Sequence, residues 1–103
     1  MTETSFSLEE LEALLSAEQS EFTAHEQSKF ARVKIPVKKV PCHRSVEGKD
    51  GWLFVVANDG KTAVVFDDVE QEFGICKSAA LESGTVREWG LAGSLVFALM
   101  HLK

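Results

Sequence analysis

The stretch WLFVVANDGKTAVVF, residues 52–66, decides the fold. It holds two apolar runs, residues 52–57 and 62–66, separated by Asn58, Asp59, Gly60 and Lys61. An Asp-Gly pair between apolar runs signals a hairpin, because a type I′ turn needs positive φ at both central residues and these residue types adopt it at least cost. A two-residue Asp59-Gly60 turn sets Ala57 opposite Thr62, Val55 opposite Val64 and Leu53 opposite Phe66 on one face. Trp52, Phe54, Val56, Ala63 and Val65 then fill the other. Both faces are apolar, so the hairpin is expected at the centre of a sheet that is covered on both sides.

Toward the C-terminus, Asp67, Asp68, Val69, Glu70 and Gln71 read as an acidic turn into a strand over residues 72–78, with Phe73 and Ile75 on one face and Gly74 and Cys76 on the other. The turn Glu82-Ser83-Gly84 leads to a fifth strand over residues 85–90. Gly93-Ser94 then opens a helix over residues 95–102. Leu91, Leu95, Ala98, Leu99 and Leu102 form one side of it and Val96, Phe97 and Met100 the other, so it is apolar most of the way round.

Toward the N-terminus, Val33, Ile35 and Val37 alternate with Arg32, Lys34 and Lys38, the period of a strand. Pro36 cannot donate to a ladder and places that strand on a sheet edge. Residues 41–51, PCHRSVEGKDG, read as a long loop. Ser7 and Glu10 make a capping box that starts a first helix, with Phe6 and Leu11 as a hydrophobic staple. Leu8, Leu11, Leu15 and Phe22 share its apolar stripe with Leu14 at the border, and Glu26 breaks the stripe, so the helix is expected to end near residues 19–22. Residues 23–29 are then a connector or a frayed continuation.

The charge is sorted along the chain. Residues 1–28 carry seven acids and no Lys or Arg, whereas residues 29–44 carry six bases and no acid. Either one face of the fold neutralises another, or a basic strip faces a partner. Arg32, Lys34, Lys38, Lys39 and Arg44 are the candidate phosphate contacts. The formal net charge of −5 argues against nucleic acid, as does the lack of an aromatic near the strip other than Phe30.

The 103 residues suit a single domain spanning residues 1–103 that needs neither disulfide nor metal to fold. Cys42 and Cys76 have no C-x-x-C spacing, and Cys42-His43, His25 and His101 match no closed zinc site, so free thiols and no cofactor are expected. The start has no secretory pattern and no segment is long and apolar enough for a membrane span, which gives a cytoplasmic expectation. Asp67, Asp68, Glu70 and Glu72 lack a calcium-loop pattern, and the glycines form neither dinucleotide nor phosphate loops. Trp52 and Trp89 sit among apolar neighbours and read as core aromatics.

The expectation is an α+β fold: an N-terminal helix, a five-stranded antiparallel sheet that is meander-like and curled, and a C-terminal helix. A small SH3-like barrel is the alternative. The absence of catalytic signatures favours a non-enzymatic module that binds a protein or a small ligand. Self-association as a homodimer through Val96, Phe97 and Met100 is expected, because two helices leave apolar surface uncovered. A nucleic-acid-associated accessory protein using residues 29–44 is the second reading, and a small enzyme with its site in the 41–51 loop the third.

Overall fold

The computed structural model describes residues 6–44 and 49–103. The elements run α1 (Leu8–Gln19), α2 (Ala24–Val33), β1 (Lys34–Arg44), β2 (Lys49–Asn58), β3 (Thr62–Asp67), β4 (Glu72–Lys77), α3 (Ser78–Glu82), β5 (Gly90–Gly93) and α4 (Leu95–Leu99). The five strands pair antiparallel in the order β1-β2-β3-β4-β5, so the fold is α+β around a curled meander. The sheet does not close, which sets aside the barrel alternative.

The N-terminal capping box forms as its spacing dictates. Glu10 N–H donates to Ser7 Oγ at 3.0 Å, and Ser7 N–H donates to Glu10 Oε1 at 2.8 Å. Phe6 packs edgewise on Phe66 with ring centroids 4.9 Å apart. Leu11 and Leu15 are buried, but Leu8, expected on the same stripe, is exposed. Residues 23–29 are not a connector. A second capping box, Thr23 with Glu26, starts α2, whose Phe30 and Val33 enter the core. Glu26 breaks the stripe of α1 because it belongs to another helix.

The hairpin is where the sequence places it, but its register differs. Asn58 pairs with Ala63 and Ala57 with Val64, while Val55 pairs with Val65 and Phe54 with Phe66, so Val56 is an extra residue bulged out of β2. The connection is longer than two residues because side chains cap it. Asn58 Oδ1 accepts from Gly60 N–H, and Asp59 Oδ1 accepts from the N–H groups of Lys61 and Thr62. A one-residue change of register exchanges faces, so Phe54 and Val56 lie with Val64 and Phe66, and Leu53 and Val55 with Ala63 and Val65.

Both faces are covered within the chain. Leu11, Leu15, Phe30, Leu95, Ala98, Leu99 and Leu102 pack on Phe54, Val64, Phe66 and Phe73. On the opposite face, Val40, Cys42, Leu53, Val55, Ala63, Val65 and Cys76 are covered by Val86 with Ala80, Leu81 and Trp89. The segment after β4 is thus not a fifth strand over residues 85–90. Residues 78–82 form α3, and Val86 crosses to the outer edge of β1, donating to the Pro41 carbonyl and accepting from His43 N–H, each at 2.9 Å. The chain then returns to pair β5 with β4, where a Cβ on Gly74 would collide with the Gly90 carbonyl oxygen.

β1 is an edge strand as Pro36 requires, but it is irregular. Four steps from Lys34 to Lys38 answer two steps on β2, so Ile35 packs toward one core cluster and Val37 toward the other instead of sharing a face. Most of the expected 41–51 loop is strand, with Pro41 opposite Trp52, Cys42 opposite Gly51 and His43 opposite Asp50. Residues 45–48 of that loop lie outside the described residues, as do residues 1–5. The terminal helix is shorter than residues 95–102. Ser94 Oγ caps Phe97 N–H, and the chain tightens after Leu99 into i→i−3 bonds from His101 and Leu102. No helix among the described residues is long and apolar enough to cross a membrane.

Candidate functional site

Asp67 ends β3 on the same parity as Ala63 and Val65, which turns its side chain into the second core face; it is 1% exposed. Burial would raise its pKa, but Arg44, Glu70 N–H and the Trp89 indole hold the carboxyl below its ordinary value. Arg44 reaches it from β1 as a two-pronged donor, at 2.9 Å to Oδ1 and 3.1 Å to Oδ2. Trp89 Nε1–H donates to Oδ2 at 3.1 Å, and the N–H groups of Val69 and Glu70 donate to Oδ1. The Arg44 guanidinium also lies 5.4 Å from the Trp89 ring centroid. Five donors on one carboxylate lock β1, the β3–β4 turn and Trp89 together.

Trp89 so fixed forms one wall of a groove of about 830 Å³. Cys76 and Ala80 give it an apolar floor, and Lys77, Arg87 and Glu88 are exposed at its rim. The Cys76 thiol is pushed up to about 11 by burial, so at neutral pH it is an uncharged lining group and not a thiolate nucleophile. Burial raises the Cys42 pKa too, against the lowering effect of Arg44. Cys42 and His43, adjacent on a strand, face opposite ways: Cys42 enters the core while His43 Nδ1 meets Asp50 Oδ1 at 2.9 Å. Among the described residues no three His, Cys, Asp or Glu side chains converge as metal ligands.

The expected basic strip is divided. Arg44 is taken into the Asp67 network, and Arg32 donates to the Lys103 carbonyl oxygen at 2.7 Å. Lys34, Lys38 and Lys39 are exposed, and among the described residues none of them forms an ion pair with the acids of α1. The structure adds an aromatic that local sequence did not place there. Trp52 is not a core residue but is 54% exposed, and Lys39 Nζ lies 6.0 Å from its ring centroid and 5.6 Å from that of Phe54. Trp89 is half-buried against the second core face.

Of the expected self-association residues, Phe97 is 58% and Met100 70% exposed, while Val96 is half-buried. The sheet itself needs no second subunit, since α2 and residues 78–89 supply the cover that two helices alone would not. Among the described residues the outer side of α4 keeps Phe97 and Met100 in solvent, and Leu8, Trp52, Val69 and Leu91 are exposed elsewhere. Comparison with known protein families, curated proteins and solved structures finds nothing that matches this chain.

Proposed function

We propose that this chain is a non-enzymatic binding module whose groove between β4 and residues 83–90 takes a small amphipathic acid. The observation that carries the reading is the pre-set Trp89 wall: the indole is tethered to the buried Asp67 before any ligand arrives, so little order has to be created on binding. The groove's volume of about 830 Å³ suits a small molecule. An apolar body would lie on Cys76, Ala80 and Trp89, and an anionic group would meet Lys77 and Arg87 at the rim. Titration with 1-naphthoate and octanoate, followed by amide chemical shifts, tests it. Shifts concentrated at Ile75, Cys76, Lys77, Arg87 and Trp89, and lost in the Lys77→Gln/Arg87→Gln protein, are expected. Equal binding of octylamine, or shifts elsewhere, would exclude the reading.

Self-association is a second reading, favoured by the exposure of Phe97 and Met100 on the outer side of a helix whose inner side is core. It uses a surface separate from the groove lining, so the two readings stand or fall independently.

A further inference from the structure

Trp52 and Lys39 lie on one face of the β1–β2 ribbon. Lys39 pairs with Phe54, Pro41 with Trp52, and Lys39 Nζ approaches both rings. A tryptophan more than half exposed leaves a flat π surface available to solvent, and no acid of α1 is ion-paired with Lys34, Lys38 or Lys39 among the described residues. Pro41, next to the indole across the strands, is exposed too. Lys34, whose Nζ lies over the Phe30 ring, and Lys39 are the two cations on the side of the open aromatic face, whereas Lys38 pairs with Val55 and points to the other face. A cation row beside an indole is what an unstructured polynucleotide strand meets, with bases stacking on the ring while phosphates follow the ammonium groups.

We infer that the β1–β2 ribbon binds single-stranded nucleic acid without sequence preference, Trp52 stacking a base and Lys34 and Lys39 contacting phosphates. A duplex keeps its bases stacked inside and gains nothing from Trp52, whereas a single strand can splay one out. An acidic peptide would satisfy the lysines but has no π face for the indole. The net charge of −5 opposes long-range attraction, so binding belongs to low salt and to this ribbon alone. The site is remote in composition from the groove, sharing no residue with its lining.

Fluorescence anisotropy of a labelled oligothymidylate against the full chain tests the inference. With two phosphates engaged, log K should fall with log salt at a slope of about −1.4. Trp52→Ala should weaken binding about 5- to 150-fold, the loss of one stacked base, and Trp52→Phe should recover part of it. Lys34→Gln/Lys39→Gln should flatten the salt slope. All three side chains are exposed, so circular dichroism should show these variants folded. Absence of binding at low salt overturns the proposal. So does binding that Trp52→Ala leaves unchanged, and so does equal affinity for polyglutamate, which would assign the ribbon to an acidic protein partner.

Discussion

Asp67→Asn changes one atom of a buried side chain and should remove a large part of the stability. The carboxylate accepts at Oδ1 from Arg44, Val69 and Glu70 and at Oδ2 from Arg44 and Trp89. An amide can keep its oxygen at the first position, but its NH₂ then points at two donors, the Arg44 guanidinium and the Trp89 indole. The largely buried guanidinium loses its paired carboxylate, a loss of about 3–5 kcal/mol in other buried pairs. Set against a total of about 5–15 kcal/mol for a domain of ordinary stability, that removes between about a fifth and all of the folded state's margin. Arg44→Met should be milder, about 2–4 kcal/mol, because three of the five donors remain on the carboxylate. The double variant should lose less than the sum by about 1–3 kcal/mol, since the amide no longer meets a cation. Urea denaturation followed by far-ultraviolet circular dichroism gives all four free energies. A cost for Asp67→Asn below about 1 kcal/mol, or strict additivity, would refute the argument that this pair is a buried, coupled unit.

The two capping boxes should each be worth about 0.5–2 kcal/mol, so Ser7→Ala and Thr23→Ala should lower the denaturation midpoint separately and additively. Gly74→Ala should cost about 1–3 kcal/mol by driving β5 off β4, read from the same denaturation curves. Acid should destabilise the fold in a defined window. Asp59, held to about 2 by the N–H groups of Lys103, Thr62 and Lys61, and Asp67, also depressed, stabilise fully above their unfolded pKa. That contribution fades as pH falls from about 4 through the folded values, so stability against pH should drop there and drop less in Asp59→Asn. Phe97→Glu/Met100→Lys should leave the denaturation midpoint nearly unchanged and abolish any concentration-dependent association seen by light scattering; a parent chain that is monomeric at high concentration removes the self-association reading.

Much of the architecture is legible in local chemistry. The Ser7–Glu10 box, the Pro36 edge and the 58–61 connection all act within a few residues, and the structure has each of them in place. Thr23-x-x-Glu26 carries the same signal as the first box, but on the wheel of α1 Glu26 registers only as a break in the apolar stripe, which hides α2. The hairpin's register is less local. Side-chain capping lengthens the connection and Val56 bulges, so counting from a two-residue turn matches Leu53 and Val55, and Phe54 and Val56, to the wrong face of β3, while Ala57 stays with Val64. Asp67 looked like part of an acidic turn, although its parity with Ala63 and Val65 already pointed it inward; only Arg44 and Trp89, distant in sequence, make that burial tolerable. Trp52 shares a face with Phe54, but exposure differs between them and alternation alone carries no information about where cover ends.

The two hydrogen bonds that Val86 makes to the edge of β1 join parts of the chain that the meander never brings near each other. Consecutive hairpins close through short loops, whereas this junction must wait until both the first strand and the segment beyond α3 are in place, at a larger loss of chain entropy. The segment is therefore expected to dock late in folding and to open as a unit before the sheet does, with the Val86 and His43 amides exchanging hydrogen ahead of those in β3. Because residues 83–90 form one side of the groove, each such opening erases the groove. A molecule that occupies it would slow exchange at those two amides without touching either one.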